Sequence, residues 1–154
     1  MDSLEAWRTA AEVPGSLNPS PFFFQALSKA ANLIDIGCGA GRLTSRLARR
    51  PGLIVSVDRS LPALMGGNFI DVGTARIVGD ARQLPFRDEV ASAVSMQAVL
   101  TVIPNVKDQL SVASEVARII APGVSCMSQI SCGMTMILTM QPGIDQGLVG
   151  EFFR

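Results

Sequence analysis

Residues 33–44 read Leu-Ile-Asp-Ile-Gly-Cys-Gly-Ala-Gly-Arg-Leu-Thr. An apolar run with Asp35 near its end meets glycines at 37, 39 and 41 and then the start of a helix. The pattern predicts a strand, a tight turn and a helix, with Asp35 at the mouth of the turn. Glycines let backbone approach a ligand where a Cβ would clash. An acid beside them attracts an amine or a cation, so the segment is one half of a cofactor site.

The same alternation continues along the chain. Apolar runs at 33–36, 54–57, 75–78, 91–96 and 124–130 predict strands, and helices are expected at 42–50, 61–68 and 107–120. Pro51-Gly52 and Pro122-Gly123 stop two of those helices. In the last helix Leu110, Ala113, Val116, Ala117 and Ile120 are expected to face inward. Strands alternating with helices imply an α/β fold with a doubly wound, mostly parallel sheet. Ahead of it, 1–32 reads as a helical segment, with a short helix at 3–11, a loop at 14–19 and a second helix capped at Ser20-Pro21. The core spans 33–130. The remaining 131–154 forms a short, atypical C-terminal segment of one overall domain: 134–140 fits a helix or a strand, and 147–154 a tail.

Composition narrows the partners. The 154 residues carry 13 basic and 13 acidic side chains, so there is no electrostatic footprint for nucleic acid or an anionic membrane. The start of the chain lacks the apolar core of a signal peptide, and 124–140 is too broken to span a membrane. Cys38, Cys126 and Cys132 lack the spacing of a disulfide framework and suit a reducing cytoplasm. With no His in the chain, three cysteines do not make a zinc site, and no metal is expected.

Three strands end in acids: Asp35, Asp58 and Asp80. In open α/β sheets, ligands sit at the carboxyl ends of strands, near the switch in strand order. Asp58, 21 residues after Gly37, is placed to accept ribose hydroxyls. Asp80 is placed to accept from an exocyclic amine, with the backbone from Ala81 onward facing an adenine edge. A dinucleotide fingerprint would put its third glycine at position 42, which is Arg. Three acids without a phosphate clamp fit a cation bearing ribose, adenine and an amino acid. S-adenosylmethionine is such a ligand.

Here the chain resembles class I S-adenosylmethionine-dependent methyltransferases, in particular the small-molecule group with the type 11 domain. The resemblance covers about Leu33 to Gly123. Asp35-Ile-Gly-Cys-Gly-Ala-Gly41 is similar to the glycine-rich first motif and Val57-Asp58 to the second. Gly79-Asp80-Ala81 with Leu84-Pro85-Phe86 resembles the adenine segment, and 95–100 the stretch after the fourth strand. Residues 115–123 resemble the helix and turn before the fifth strand. The resemblance implies a Rossmann-like methyltransferase fold and methyl transfer to a small-molecule acceptor. It implies cofactor contacts from Asp35, Gly37, Cys38, Gly39, Gly41, Asp58, Arg59, Asp80, Ala81, Met96 and Gln97. It identifies no catalytic residue.

The chain departs from the family at several points. Ala91 stands where an acid commonly opens the fourth strand, and Val102 where many relatives have His. Only 24 residues follow Ile130, so the C-terminal strands are expected to be truncated, with one sheet edge rebuilt or covered by a second copy or a partner subunit. Two alternatives follow: a cofactor-binding remnant without activity, or subunit of a methyltransferase, and, on fold alone, an NAD-dependent oxidoreductase.

Overall fold

The computed structural model describes residues 21–66, 69, 74–122, 125–131, 134–139 and 149–153. The expected helix at 3–11 and loop at 14–19, together with Cys132, lie outside them. The strands are β1 Asn32–Ile36, β2 Leu53–Asp58, β3 Thr74–Val78, β4 Ala93–Gln97, β5 Ser125–Ser131, β6 Met134–Thr139 and β7 Val149–Phe153. The helices are α1 Pro21–Ser28, α2 Arg42–Leu47, α3 Leu61–Gly66 and α4 Val106–Ile119, with a 3-10 turn at Leu100–Val102.

Among the described residues, one sheet holds seven strands in the order β3-β2-β1-β4-β5-β6-β7. The first five run parallel, and β6 and β7 each pair antiparallel with the preceding strand. The chain leaves β1 toward β2 and β3 on one side, then returns to β4 on the other. The reversal puts the crevice between β1 and β4, where such sheets bind ligands.

The two-residue period of β1 sorts its side chains between two cores. Ile34 and Ile36 join Val57, Val94, Met96, Val112, Val116 and Ile119 on the α4 side. Leu33 joins Leu27, Ala30, Leu43, Leu47, Ile54 and Ala93 on the side of α1 and α2. Asp35 shares the parity of Leu33 and therefore lies under α2. Helices cover both faces, as the doubly wound reading requires.

Several local expectations change. Helix α2 ends at Leu47, three residues before Arg50. In α4 the buried residues are Val112, Val116 and Ile119, whereas Leu110 is 65% exposed. Positions 112, 116 and 119 form one helical stripe, and Leu110 lies about 200° away from Val112 at 100° per residue. The choice between two overlapping apolar stripes went to the branched residues that meet β4. The stretch after Ser131 is strand rather than helix: Met134 pairs with Ser131 across a connection of two residues. The tail at 149–153 pairs with β6 as β7.

Two arginines close loops on the backbone. The Arg50 guanidinium donates to the carbonyls of Ala30, Pro51 and Leu53, joining the end of α1 to the start of β2. Arg118 donates to the carbonyls of Leu84 and Phe86 and to Asp88, while Glu115 accepts from the Leu84 N–H at 2.6 Å. Helix α4 thereby holds the 84–88 loop beside the crevice.

Gly52 sits in this framework at φ 95, and a Cβ there would lie 2.3 Å from the Ala31 carbonyl oxygen. Gly52→Ala is expected to destabilise the fold by about 1–3 kcal/mol, from left-handed backbone strain and the displaced carbonyl. Gly66→Ala, with nothing within 4 Å of its Cβ, leaves the urea midpoint near that of the parent. Equal midpoints for the two variants would contradict this geometry.

Candidate functional site

A cleft of ≈ 650 Å³ opens at the carboxyl ends of β1 to β4. Ile36 to Ala40 line it from β1, Val57 to Ser60 from β2, Gly79 to Arg82 after β3, and Gln97 to Val99 after β4. Pro62, Ala63 and Gly66 of α3 line it too, as do Val102, Ile103, Pro104 and Asp108 around the start of α4.

The glycine loop is held by the neighbouring strand. The N–H groups of Gly37 and Cys38 donate to the Val57 carbonyl at 2.8 and 3.2 Å. The Gly39 N–H donates to Asp58 Oδ2 at 2.8 Å, and the Ser60 N–H to Asp58 Oδ1 at 2.8 Å. All three glycines have positive φ: 68, 53 and 78 at Gly37, Gly39 and Gly41. Their surroundings differ. A Cβ on Gly37 would meet Val99 at 2.4 Å and one on Gly41 the Phe69 ring at 2.6 Å, whereas a Cβ on Gly39 meets nothing within 4 Å. Gly37 and Gly41 are therefore needed for packing. Gly39 lines the cleft and faces open space.

Asp35 is not at the mouth of the turn. It is 2% exposed and does not line the cleft. It stands in register with Ser56 on β2 and Ser95 on β4. The Ser95 hydroxyl donates to Asp35 Oδ1 at 2.6 Å and the Thr44 hydroxyl to Oδ2 at 2.8 Å. Thr44 Oγ1 also lies 2.9 Å from Ser56 Oγ; since Thr44 donates to Asp35, Ser56 is the donor in that contact. Burial pushes the Asp35 carboxyl up to about 6, outweighing the two hydroxyl donors that favour its ionised form.

The other expected contacts divide between cleft and core. Gly37, Cys38, Gly39, Asp58, Arg59, Asp80, Ala81 and Gln97 line the cleft. Gly41 and Met96 do not: Gly41 is the left-handed N-cap of α2, and Met96, 1% exposed, belongs to the core on the α4 side. Met96 alternates with Gln97 along β4, so only one of the two reaches the mouth as the strand ends. Burial, and then the Asp35 and Asp58 carboxyls, push the Cys38 thiol well above its usual range, which keeps it neutral. Of Cys126, only its backbone position on β5 is described.

The expected set of contacts lacks the far wall. Arg82 holds Asp80 through its backbone N–H, Nε and Nη2, the last at 2.6 Å, and reaches Asp108 Oδ2 with Nη1 at 3.1 Å. These hydrogen bonds keep the Asp80 carboxyl below its usual range. Ala98 begins that wall at φ 56, a conformation rare without glycine, and its carbonyl accepts from the Thr101 hydroxyl at 2.7 Å. Nothing in a strand-end pattern signals these residues, since they come from a loop and a helix start. Their visible trace is Arg82 two residues after Asp80.

The family model described as a methyltransferase domain matches residues 34–127. The chain belongs to this methyltransferase domain family. A demethylmenaquinone methyltransferase of Mycobacterium sp. (strain KMS) is 34% identical over 91 residues, 59% of this chain and 37% of that protein. Its counterpart in Mycolicibacterium vanbaalenii is 32% identical over 117 residues, 76% of this chain and 45% of that protein. The chain thus spans less than half the length of these curated relatives. Among solved structures, a SAM-dependent methyltransferase of Methanosarcina mazei aligns with TM-score 0.65 at 24% identity, covering 73% of this chain and 57% of that one. The N-methyltransferase NodS of Bradyrhizobium japonicum, in complex with S-adenosyl-L-homocysteine, aligns with TM-score 0.66 at 16% identity, covering 83% and 72%. Both share the fold.

The buried carboxyl gives this methyltransferase domain a pH signature. Asp35 titrates near 3.8 when unfolded and about 6 when folded, so the folded state holds the extra proton between those values. The contribution of Asp35 to stability is full below about pH 4 and is lost as pH rises through about 6, amounting to about 3 kcal/mol. Asp35→Asn removes that dependence. Urea midpoints at pH 4 to 7 check it: the difference between parent and variant shifts against the parent as pH rises, and a constant difference would refute the assignment.

Proposed function

We propose that this methyltransferase domain binds S-adenosylmethionine in the cleft at the ends of β1 to β4 and transfers a methyl group to a small-molecule acceptor. The observation that carries the reading is Gly39: left-handed, hydrogen-bonded to Asp58, and facing empty space in a cleft of ligand size. A turn serving only the fold would not need an open approach at that residue. The Rossmann-like architecture, with the cleft at the switch in strand order, supports the same reading.

The loop from Gly37 to Gly41 would lie beneath the methionine part, its glycines admitting the ligand close to backbone. Asp58 would take ribose hydroxyls with the oxygen lone pairs left free by Gly39 and Ser60, and Arg59 would flank it. Asp80 and Ala81 would face the adenine, and Gln97 the reacting end. Asp35 would act from behind, through Thr44, on the position of the loop. The cofactor supplies a methyl group already activated on a sulfonium. The chain's part is then to hold donor and acceptor in line, and orientation of that kind is worth about 7–11 kcal/mol in well-aligned cases. The names of the mycobacterial relatives support a small organic acceptor, and the apolar wall at Val99, Val102, Ile103 and Pro104 is suited to one. Among the described residues no helix is long and apolar enough to cross a membrane.

Calorimetric titration with S-adenosylmethionine and S-adenosylhomocysteine tests the reading, and absence of heat with both would sink it. Gly39→Ala places a methyl group in space otherwise left to the ligand. Its fold should lose only about 1–2 kcal/mol, the penalty of a left-handed Ala. Its affinity for both ligands should fall about tenfold or more, equivalent to at least about 1.4 kcal/mol.

A further inference from the structure

The charges of the cleft are unevenly shared among the segments that line it. Asp58 and Arg59 come from the end of β2, Asp80 and Arg82 follow β3, and Asp108 of α4 is paired with Arg82. From β1, the glycine loop and the end of β4 the lining is Ile36 to Ala40 and Gln97 to Val99, without a charged side chain. Asp35, the acid expected there, is buried and does not line the cleft. The charge nearest in sequence to the loop that does line it is Arg42, the first residue of α2.

The loop backbone has little left to offer an anion. Gly37 and Cys38 N–H groups donate to the Val57 carbonyl, the Gly39 N–H to Asp58, and the Gly41 N–H to the Cys38 carbonyl at 2.9 Å. Of the five N–H groups from 37 to 41, these four are spent inside the fold. A carboxylate lying over this loop therefore needs a side chain. Arg42 is exposed, and among the described residues its guanidinium makes no hydrogen bond or ion pair. Its neighbours are committed: Arg82 holds Asp80 and Asp108, and Arg46 lies over the Phe24 ring at 4.0 Å. A cation is also unfavourable at the first position of a helix. The first turn of α2 has no acid to offset it, so the fold gains nothing from Arg42 there.

We propose that Arg42 binds the carboxylate at the amino-acid end of S-adenosylmethionine and so makes the cleft selective for ligands that carry one. This rests on the reading of the cleft as an S-adenosylmethionine site. The carboxylate, rather than the amine, is then the recognised charge at that end, because the acid expected for the amine is turned into the fold. A guanidinium presents paired N–H donors that match the two oxygens of a carboxylate. The pair is exposed, so its contribution is modest and weakened by salt.

Calorimetric titration of the full chain with S-adenosylmethionine and with decarboxylated S-adenosylmethionine isolates the contact. The second ligand keeps the sulfonium and the ammonium and lacks only the carboxylate. The parent should bind S-adenosylmethionine the more tightly. Arg42→Gln should lower that affinity roughly five- to tenfold and leave the affinity for the decarboxylated ligand within about twofold. Arg42→Lys, which keeps the charge without the fork, should retain part of the preference. Raising salt to about 1 M should narrow the preference of the parent and leave that of Arg42→Gln nearly unchanged. A role confined to the stability of α2 would move the unfolding midpoint and lower both affinities together. Equal losses for the two ligands, or an undiminished preference in folded Arg42→Gln, would overturn the contact while leaving the binding reading intact. Failure of the parent to bind either ligand would overturn both.

Discussion

The site depends on one buried carboxyl. Asp35 occupies the middle of a register row, with Ser56 on β2 and Ser95 on β4 beside it and Thr44 of α2 above. Three strands and a helix are thus tied through one side chain, immediately before the loop that shapes the cleft. Burying such a group is costly unless its hydrogen bonds are satisfied. Here each oxygen accepts one hydroxyl. A register slip of one residue would turn Asp35 into the apolar core on the α4 side, so the row also selects the register. The N-terminal turn of α2, and with it the exit of the glycine loop, follows from where Thr44 must sit.

Acids at the ends of three strands looked equivalent in the sequence, and the structure separates them. Asp35 points into the fold and supports the loop. Asp58 points along it, taking one N–H from the glycine turn and one from Ser60 while still lining the cleft. Asp80 lines the cleft and is held by Arg82. Each difference has a local cause. Asp35 lies one residue inside its strand and keeps the strand's alternation, Asp58 is the last residue of β2, and Asp80 comes after Gly79, beyond the end of β3. Being at a strand end says that a residue is near the site; one position either way decides whether its oxygens face core, loop or ligand.

The parallel core was legible because its signals are local. Apolar runs of strand length, stops at Pro51-Gly52 and glycines with positive φ each act within a few residues, and they placed β1 to β4 and the loop to within one or two positions at most ends. What escaped depends on partners far along the chain. In α4, Val116 and Ile120 are buried as expected, but Leu110 was misread as inward because Leu110 and Val112 are both apolar and only the contact with β4 chooses between them. Helix α2 stops at Leu47, and the chain then turns with the Arg50 N–H on the Leu47 carbonyl at 3.0 Å while the Arg50 guanidinium reaches carbonyls of Ala30 and Leu53. The strand at 134–139 had no periodicity to distinguish it from a helix, and its pairing with β5 is non-local. Arg82 and Asp108 were invisible for the same reason, lying 26 residues apart in the chain and 3.1 Å apart in space.

The two walls of the cleft are geometrically bound together despite their different chemistry. The loop wall presents glycine backbone and the Asp58 carboxylate; the wall from Val99 to Pro104 includes Val99, Val102, Ile103 and Pro104. They meet at Gly37, where any side chain would overlap Val99. That glycine lets an apolar surface pack directly on the polar loop, so a ligand lying along the loop has its end against an apolar neighbour. A methyl group on its way between two molecules carries no hydrogen-bonding partner of its own, and alignment and the exclusion of water are what a protein can add. In the methyl transfer proposed above, an apolar wall abutting a hydrogen-bonded loop would provide both. A larger side chain at Val99 would narrow the cleft, whereas adding a carbon at Gly37 would push the two walls apart.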